Sequence, residues 1–177
     1  MSKGCFVYTS NVDGQFSKAG FADKDVYECH GSIHYMQGIR MHTEELWHGS
    51  EVEVEVDEST FRAVGPLPTV PNGSEWARPN ILMFGDWYWN EARAREQEER
   101  FVQWVQSLSG KKVVAVECGA GTAIPSVRRT CERVVRASGG TLIRINPREA
   151  YGPDGTVSLE MGALEALSAI QEEWGSQ

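Results

Sequence analysis

The stretch that most constrains the fold lies between Val113 and Ile145. Val113 to Val116 is a continuous run of β-branched and Ala residues, the composition of a parallel strand covered on both faces. Gly119-Ala120-Gly121-Thr122 follows, and then Pro125, whose fixed φ and missing N–H suit a first helical position. Val127, Cys131, Val134 and Val135 form one apolar stripe at helical spacing, Gly139-Gly140 stops it, and Leu142 to Ile145 makes a second strand. Strand, glycine turn, helix and strand within ~30 residues make a βαβ unit with a right-handed crossover.

The flanks support an α/β reading. Cys5 to Ser10 is a β-rich run ending in the turn-forming Asn11-Val12-Asp13-Gly14. Val26 to Tyr35 is a strand region interrupted at His30-Gly31, and Asn80 to Phe84 is a short apolar strand. Glu51 to Val56 alternates Glu and Val, the pattern of a half-buried edge strand with one charged face. Three prolines between Gly65 and Gly73 mark a loop. Asn90 caps a helix in which Phe101, Val102, Trp104, Val105 and Leu108 recur at helical spacing, and Ser109-Gly110 ends it. A last helix, roughly Leu159 to Trp174, turns Leu164, Leu167 and Ile170 inward. No repeat or low-complexity stretch interrupts this order.

With 177 residues, 41% hydrophobic and 24% charged, the chain has the length and composition of one globular domain rather than a disordered segment. A net charge of −8 argues against nucleic acid or an anionic membrane as the default partner, while leaving room for a local anion site. No apolar run approaches the ~20 residues that span a bilayer, and the opening Met1 to Tyr8 is too brief for a signal peptide. The four cysteines are scattered without a CxxC pair. Three sit in apolar runs where buried thiols are expected, and an intracellular, reduced protein follows.

A glycine turn between a parallel strand and a helix presents unpaired N–H groups that favour a phosphate or a ribose hydroxyl. Turns at Asn11-Val12-Asp13, Phe84-Gly85-Asp86 and Asn146-Pro147-Arg148 also follow strands, where ligands of open α/β sheets gather. Ile124 stands where a dinucleotide fingerprint has its third glycine, so an ordinary tight turn and a nucleotide site both remain open. His30 beside Gly31 reads either as a hydrogen-bonded structural residue or as a base. Trp87-Tyr88-Trp89 reads as packing at a helix entrance rather than as a peptide-binding patch. His42 and His48 lack the cysteines and carboxylates that a metal site needs.

Several of these turns together resemble the sirtuin family of NAD-dependent protein deacylases. Tyr8-Thr9-Ser10-Asn11-Val12-Asp13-Gly14 is similar to the family's T-Q-N-I-D-G, and Glu28-Cys29-His30-Gly31-Ser32-Ile33-His34 to its E-x-H-G-S-x-H. The segment from Arg78 to Asp86 resembles R-P-x-V-V-x-F-G-E. Gly121-Thr122-Ala123 stands for G-T-S, and Ile145-Asn146 for I-N. Order and spacing agree from Cys5 to about Ile170.

The resemblance implies NAD as cofactor, an acylated protein or peptide as substrate, and transfer of the acyl group to ADP-ribose with nicotinamide release. It makes His30 the general base, which neutral imidazole suits near neutral pH. Asn11 and Asp13 would bind around the nicotinamide and its ribose. Gly121, Thr122 and Ala123 would lie along the cofactor's ribose and phosphate, Asn146 at the adenosine ribose, and Leu164 near the adenine. Phe84 and Gly85 would flank a substrate bound as an added strand. The fold it implies is a partial Rossmann-like parallel sheet with helices on both faces. Residues 36–77 would form a small inserted module.

The chain also departs from the family pattern. Gly38 and Met41 stand where the first zinc-binding cysteine pair belongs, and Val70-Pro71-Asn72-Gly73 replaces the second. No zinc is expected, so the hairpin near Glu51 to Val56 must hold by packing alone or be loose. No G-A-G-I-S-type loop precedes Cys5. The expectation is therefore a shortened sirtuin-type domain with low activity by itself. The alternative is a non-catalytic module that binds NAD, ADP-ribose or a protein partner.

Overall fold

The computed structural model describes residues 4–40 and 45–175, in two compact units, residues 1–102 and 103–177. Met41 and His42 lie outside the described residues. The architecture is α/β, Rossmann-like in its parallel strand pairs and helices.

In the first unit, β1 (Val7–Thr9) and β2 (Val26–Glu28) pair in parallel, Val7 opposite Val26 and Thr9 opposite Glu28. The short helix α1 (Gln15–Lys18) lies between them in sequence. A long strand, β3 (Gly31–Gly38), pairs antiparallel with β4 (Trp47–His48) on one side. Its other neighbour is β7 (Ala77–Ile81), also antiparallel. Between β4 and β7 in sequence, β5 (Glu55–Asp57) and β6 (Arg62–Val64) form a separate hairpin.

Helix α2 (Ala92–Gln106) follows Asn90, whose Oδ1 accepts the Ala92 N–H at 3.0 Å, a side-chain cap. It docks on β2 through polar groups. The Glu28 N–H donates to Gln97 at 3.1 Å, Arg93 meets the Glu28 carboxylate at 2.6 Å, and the Arg93 guanidinium lies 4.2 Å from the Tyr35 ring centre. Below them Phe101 meets Phe6, Tyr8 and Tyr27 at ring distances of 5.3, 5.6 and 6.1 Å, tilted contacts of the kind aromatic quadrupoles favour.

The second unit realises the βαβ pattern. Strands β8 (Val114–Cys118), β9 (Thr141–Ile145) and β10 (Val157–Leu159) form a parallel sheet in the order β10-β9-β8. Helix α3 (Ser126–Ser138) packs on β8 and β9, one residue later than a start at Pro125. Gly139 closes it at φ 64°, and the Gly140 N–H returns to Val135, the glycine cap of a left-handed helix end. Helix α4 (Ala163–Gly175) follows β10 and buries Ala166. Leu142 and Ile145 fill the core.

The structure corrects several expectations. β8 is not covered on both faces: it is an edge strand of this sheet, and Val114 remains 59% exposed with Val116 on the same side. The alternation instead sends Glu117 inward. On α4, Leu164 and Leu167 are exposed and Ala166 takes the inward place, because the buried stripe is offset from the leucines. Only Glu55 and Val56 of the Glu-Val alternation lie in a strand, and Val54, Val56 and Val64 are exposed. The hairpin turn is tied by Asp57, which accepts the Ser59 N–H and hydroxyl and the Phe61 N–H, rather than by packing. The strand expected over Asn80 to Phe84 ends at Ile81. Cys5 and Cys118 are exposed. Burial, reinforced by the Glu117 charge, pushes the Cys131 thiol up to about 12.

Candidate functional site

In the first unit the residues singled out by sequence lie on adjoining turns. Parallel pairing of β1 and β2 brings both carboxyl ends to the same edge, with the Cys29 N–H donating to Thr9 O at 2.9 Å. The Asn11–Gly14 turn leaves β1 there, and His30-Gly31 leaves β2. Two backbone bonds fix them further: the Ile33 N–H donates to Val12 O and the Leu82 N–H to His30 O, both at 2.9 Å. His30 is half-buried; its carbonyl holds the segment that follows β7, and Ile33, three residues on, holds the turn that carries Asn11 and Asp13.

Local bonds shape each turn. The Asn11 N–H donates to the Thr9 hydroxyl at 3.0 Å and the Gln15 N–H to Asp13 Oδ1 at 3.1 Å, Asx- and ST-type contacts that tighten short loops. Gly31 sits at φ 82°, and a β-carbon there would lie 2.0 Å from Asn80 O and 3.3 Å from the Trp89 ring nitrogen. Only glycine allows β3 to approach β7 this closely beside the imidazole.

The segment after β7 is clamped from beneath. The buried Asn80 amide donates to Gln37 Oε1 and to Asn90 O, both at 2.8 Å, while Gln37 donates to Tyr88 O at 2.7 Å. Arg78 meets Asp86 at 2.7 Å. On this frame Phe84 is 90% exposed and Gly85 takes φ 70°. Trp87 and Tyr88 are exposed too, which overturns their reading as helix-entrance packing; Trp89 alone is half-buried.

In the second unit the glycine turn is built around Asn146 and Thr122, which the sequence singled out, and around Glu149 and Arg128, which it did not. The Asn146 amide donates to Ala120 O at 3.2 Å, and its oxygen accepts the Arg148 and Glu149 N–H groups at 2.9 Å. The Glu149 carboxylate takes the Thr122 N–H at 3.1 Å and its hydroxyl at 2.5 Å. The Thr122 hydroxyl first, then its amide and the charges of Arg128 and Arg148, hold Glu149 below the usual carboxylate range. Arg128 reaches from α3 to the carbonyls of Ala120, Glu149 and Tyr151. Gly121 stands 3.4 Å, measured from a built β-carbon, from Glu149; Ala123 and Leu164 are exposed.

Beneath this turn Arg144 is fully buried, gripping Glu117 through Nε at 2.6 Å and Nη2 at 2.9 Å, and also Glu132 and Tyr151 O. Single charges inside the apolar strand runs Val-Ala-Val-Glu-Cys and Leu-Ile-Arg-Ile were the available signal, since a charge in such a strand must be paired. Among the described residues no group of three or more His, Cys, Asp or Glu side chains could hold a metal ion. None of the described helices is long and apolar enough to cross a membrane.

Solved structures similar in fold include a Sir2–p53 peptide–NAD+ complex (TM-score 0.61, 19% identity, covering 97% of this chain and 64% of that one). Another is Sir2Tm bound to a propionylated peptide (TM-score 0.61, 19% identity, 97% of this chain and 65% of that one). A third is a sirtuin solved for the structural basis of substrate affinity (TM-score 0.60, 19% identity, 95% and 61%). The chain thus spans 61% to 65% of the length of these structures. No curated protein matches it in sequence. The Sir2 family model matches residues 1–107, the stretch that holds His30, Asn11, Asp13 and the Phe84-Gly85 turn, and the chain therefore belongs to the Sir2 family.

Proposed function

We propose that this chain carries sirtuin-type chemistry: NAD-dependent removal of an acyl group from a lysine side chain, with nicotinamide release and transfer of the acyl group to ADP-ribose. The observation that carries the reading is that the strand leaving His30 is bonded to the Asn11–Gly14 turn through Ile33 and Val12, while the His30 carbonyl itself holds Leu82. An imidazole, an amide and a carboxylate on adjoining turns are the donor set that a ribose and a carboxamide require.

NAD, when bound, supplies an activated glycosidic bond whose leaving group is nicotinamide. His30, in its neutral form, takes and holds a proton from a ribose hydroxyl. Asn11 pairs with the carboxamide and Asp13 accepts from ribose hydroxyls. In the second unit Gly121, Thr122, Ala123 and Asn146 serve the adenosine side, with Leu164 against the adenine. Glu149 at the Thr122 donors suits a hydroxyl-bearing ribose there better than a phosphate, because a carboxylate accepts hydroxyls and repels anions. Phe84 and Gly85 flank an extended acylated peptide. We read residues 36–77 as the inserted module, with no metal-binding cluster among its described residues.

A second reading, a non-catalytic binder of NAD or ADP-ribose, is favoured by the engagement of Thr122 with Glu149. Nicotinamide release from NAD in the presence of an acetylated peptide separates the two. Release that falls ~100-fold or more in His30→Ala supports the deacylase; release that survives the substitution removes His30 from its role. ADP-ribose binding by calorimetry without any release, weakened by Asp13→Ala, establishes the binder instead.

A further inference from the structure

The E-x-H-G-S-x-H stretch contains a second histidine, His34, to which the functional reading gives no task. It lies on β3 one residue beyond Ile33, whose N–H holds Val12. Its Nε2 stands 3.3 Å from Asp13 O. Since a carbonyl can only accept, this contact requires the proton on Nε2. The ring also abuts Gly14: a β-carbon built there would come within 2.6 Å of both Cδ2 and Nε2. The His48 ring lies nearly parallel to it, at 12° and 6.5 Å between centres. His48 is itself fixed, its Nδ1 accepting the Ser50 N–H at 3.2 Å, and the Gly49 N–H returns to His34 O at 2.8 Å.

We propose that His34 is a positioning residue: set against Gly14 and stacked toward His48, it pins the Asn11–Gly14 turn through Asp13 O and so sets where Asn11 and Asp13 stand on the turn adjoining His30-Gly31. The inference rests on the functional reading above, in which that turn receives the nicotinamide end of NAD. Its chemistry is specific. A phenylalanine would fill the space but donate nothing to Asp13 O, whereas a glutamine can place an amide N–H where Nε2 lies. The absence of a side chain at Gly14 is the other half of the device, because the ring occupies the volume that side chain would need.

The test uses the full chain with His34→Phe and His34→Gln. Hydrogen exchange of the Asn11, Gln15 and Ile33 amides in the ligand-free protein reads the turn directly, and calorimetry with ADP-ribose reads its consequence. His34→Phe is expected to speed exchange at these three amides about tenfold and weaken ADP-ribose about tenfold, the worth of one hydrogen bond. His34→Gln should restore both to within about threefold. Unchanged Tm and unchanged exchange along β8 and β9 mark the effect as local. Exchange at the three amides that matches wild type in His34→Phe overturns the proposal. So does failure of glutamine to rescue, or a general loss of stability in place of a local one. Equal ADP-ribose affinity in wild type and His34→Phe removes the role toward the cofactor alone. Absence of ADP-ribose binding in every form, wild type included, instead sinks the functional reading on which that role stands.

Discussion

Arg144 and Glu117 face each other across the β9–β8 pair with neither side chain exposed, Nε 2.6 Å from one carboxylate oxygen and Nη2 2.9 Å from the other. The register places them opposite each other. Two parallel charge-assisted bonds satisfy the carboxylate, while Glu132 and Tyr151 O take further guanidinium donors. Such a pair contributes little over a well-packed apolar pair but is costly to break from one side. Glu117→Ala should therefore destabilise the chain by about 3–5 kcal/mol. The double variant Glu117→Leu with Arg144→Met should recover most of that loss. Urea unfolding of the single and double variants checks both, and a double variant no better than the single refutes the balance.

That pair also marks where the sequence was legible and where it was not. Strand β8, the glycine turn, α3 and β9 could be read because glycine and β-branched residues act locally: Gly139 ends α3 by its own backbone freedom. The first-unit turns were legible for the same reason, since Asn11 and Asp13 act within a few residues of themselves. Arg144 and Glu117 are 27 residues apart in sequence, and only the sheet register makes them partners. Arg93 and Gln97 likewise resemble a solvated helix face until β2 and Tyr35 are set against them. Periodicity without a covering surface misled in the opposite direction. The Glu-Val alternation and the leucines of α4 carry the pattern of burial, but among the described residues too little covers Val56, 50% exposed, or Leu164, 83% exposed.

The contact between Thr122 and Glu149 should depend on pH. The Thr122 hydrogen bonds, with Arg128 and Arg148, depress the Glu149 pKa in the folded chain. A depressed carboxylate contributes fully above its unfolded pKa, ~4.3 for glutamate, and its contribution is lost as pH falls through the lower folded value. The Thr122 amide resonance should hence titrate with an inflection below the ordinary glutamate value and lose that inflection in Glu149→Gln. An inflection at or above the ordinary value counts against the contact.

The amide clamp beneath the Phe84–Trp89 segment makes a separate prediction. Gln37 and Asn80 are almost wholly buried, and Asn80 donates to both Gln37 and Asn90 O. Removing one partner of a buried polar set leaves the other desolvated and unpaired, which costs about 1–3 kcal/mol. Asn80→Ala should lose that much in urea unfolding. It should also become more sensitive to chymotrypsin at Phe84, Trp87 and Tyr88, which are already exposed but held by the clamp. Stability lost with no change in the cleavage pattern would separate the clamp from the segment above it.

Gly31 offers the sharpest separation of backbone strain from steric contact. At φ 82° any other L-residue is strained, and at this site a β-carbon would also meet Asn80 O at 2.0 Å, far inside van der Waals contact. Gly20 has a similar φ of 91° with nothing within 4 Å of its built β-carbon, so Gly20→Ala isolates the backbone component, on the order of 1 kcal/mol. Gly31→Ala carries the same strain and must in addition push β7 away from β3, displacing the Asn80 carbonyl and the amide clamp behind it. A loss exceeding that of Gly20→Ala by at least ~2 kcal/mol is expected, with His30 moved from the Asn11–Gly14 turn as β3 shifts. Unfolding of both variants side by side gives the difference, and the His30 ring resonances report the displacement. Equal losses would mean that β3 and β7 can part at no cost, and that the close approach at Gly31 does not fix the position of the imidazole.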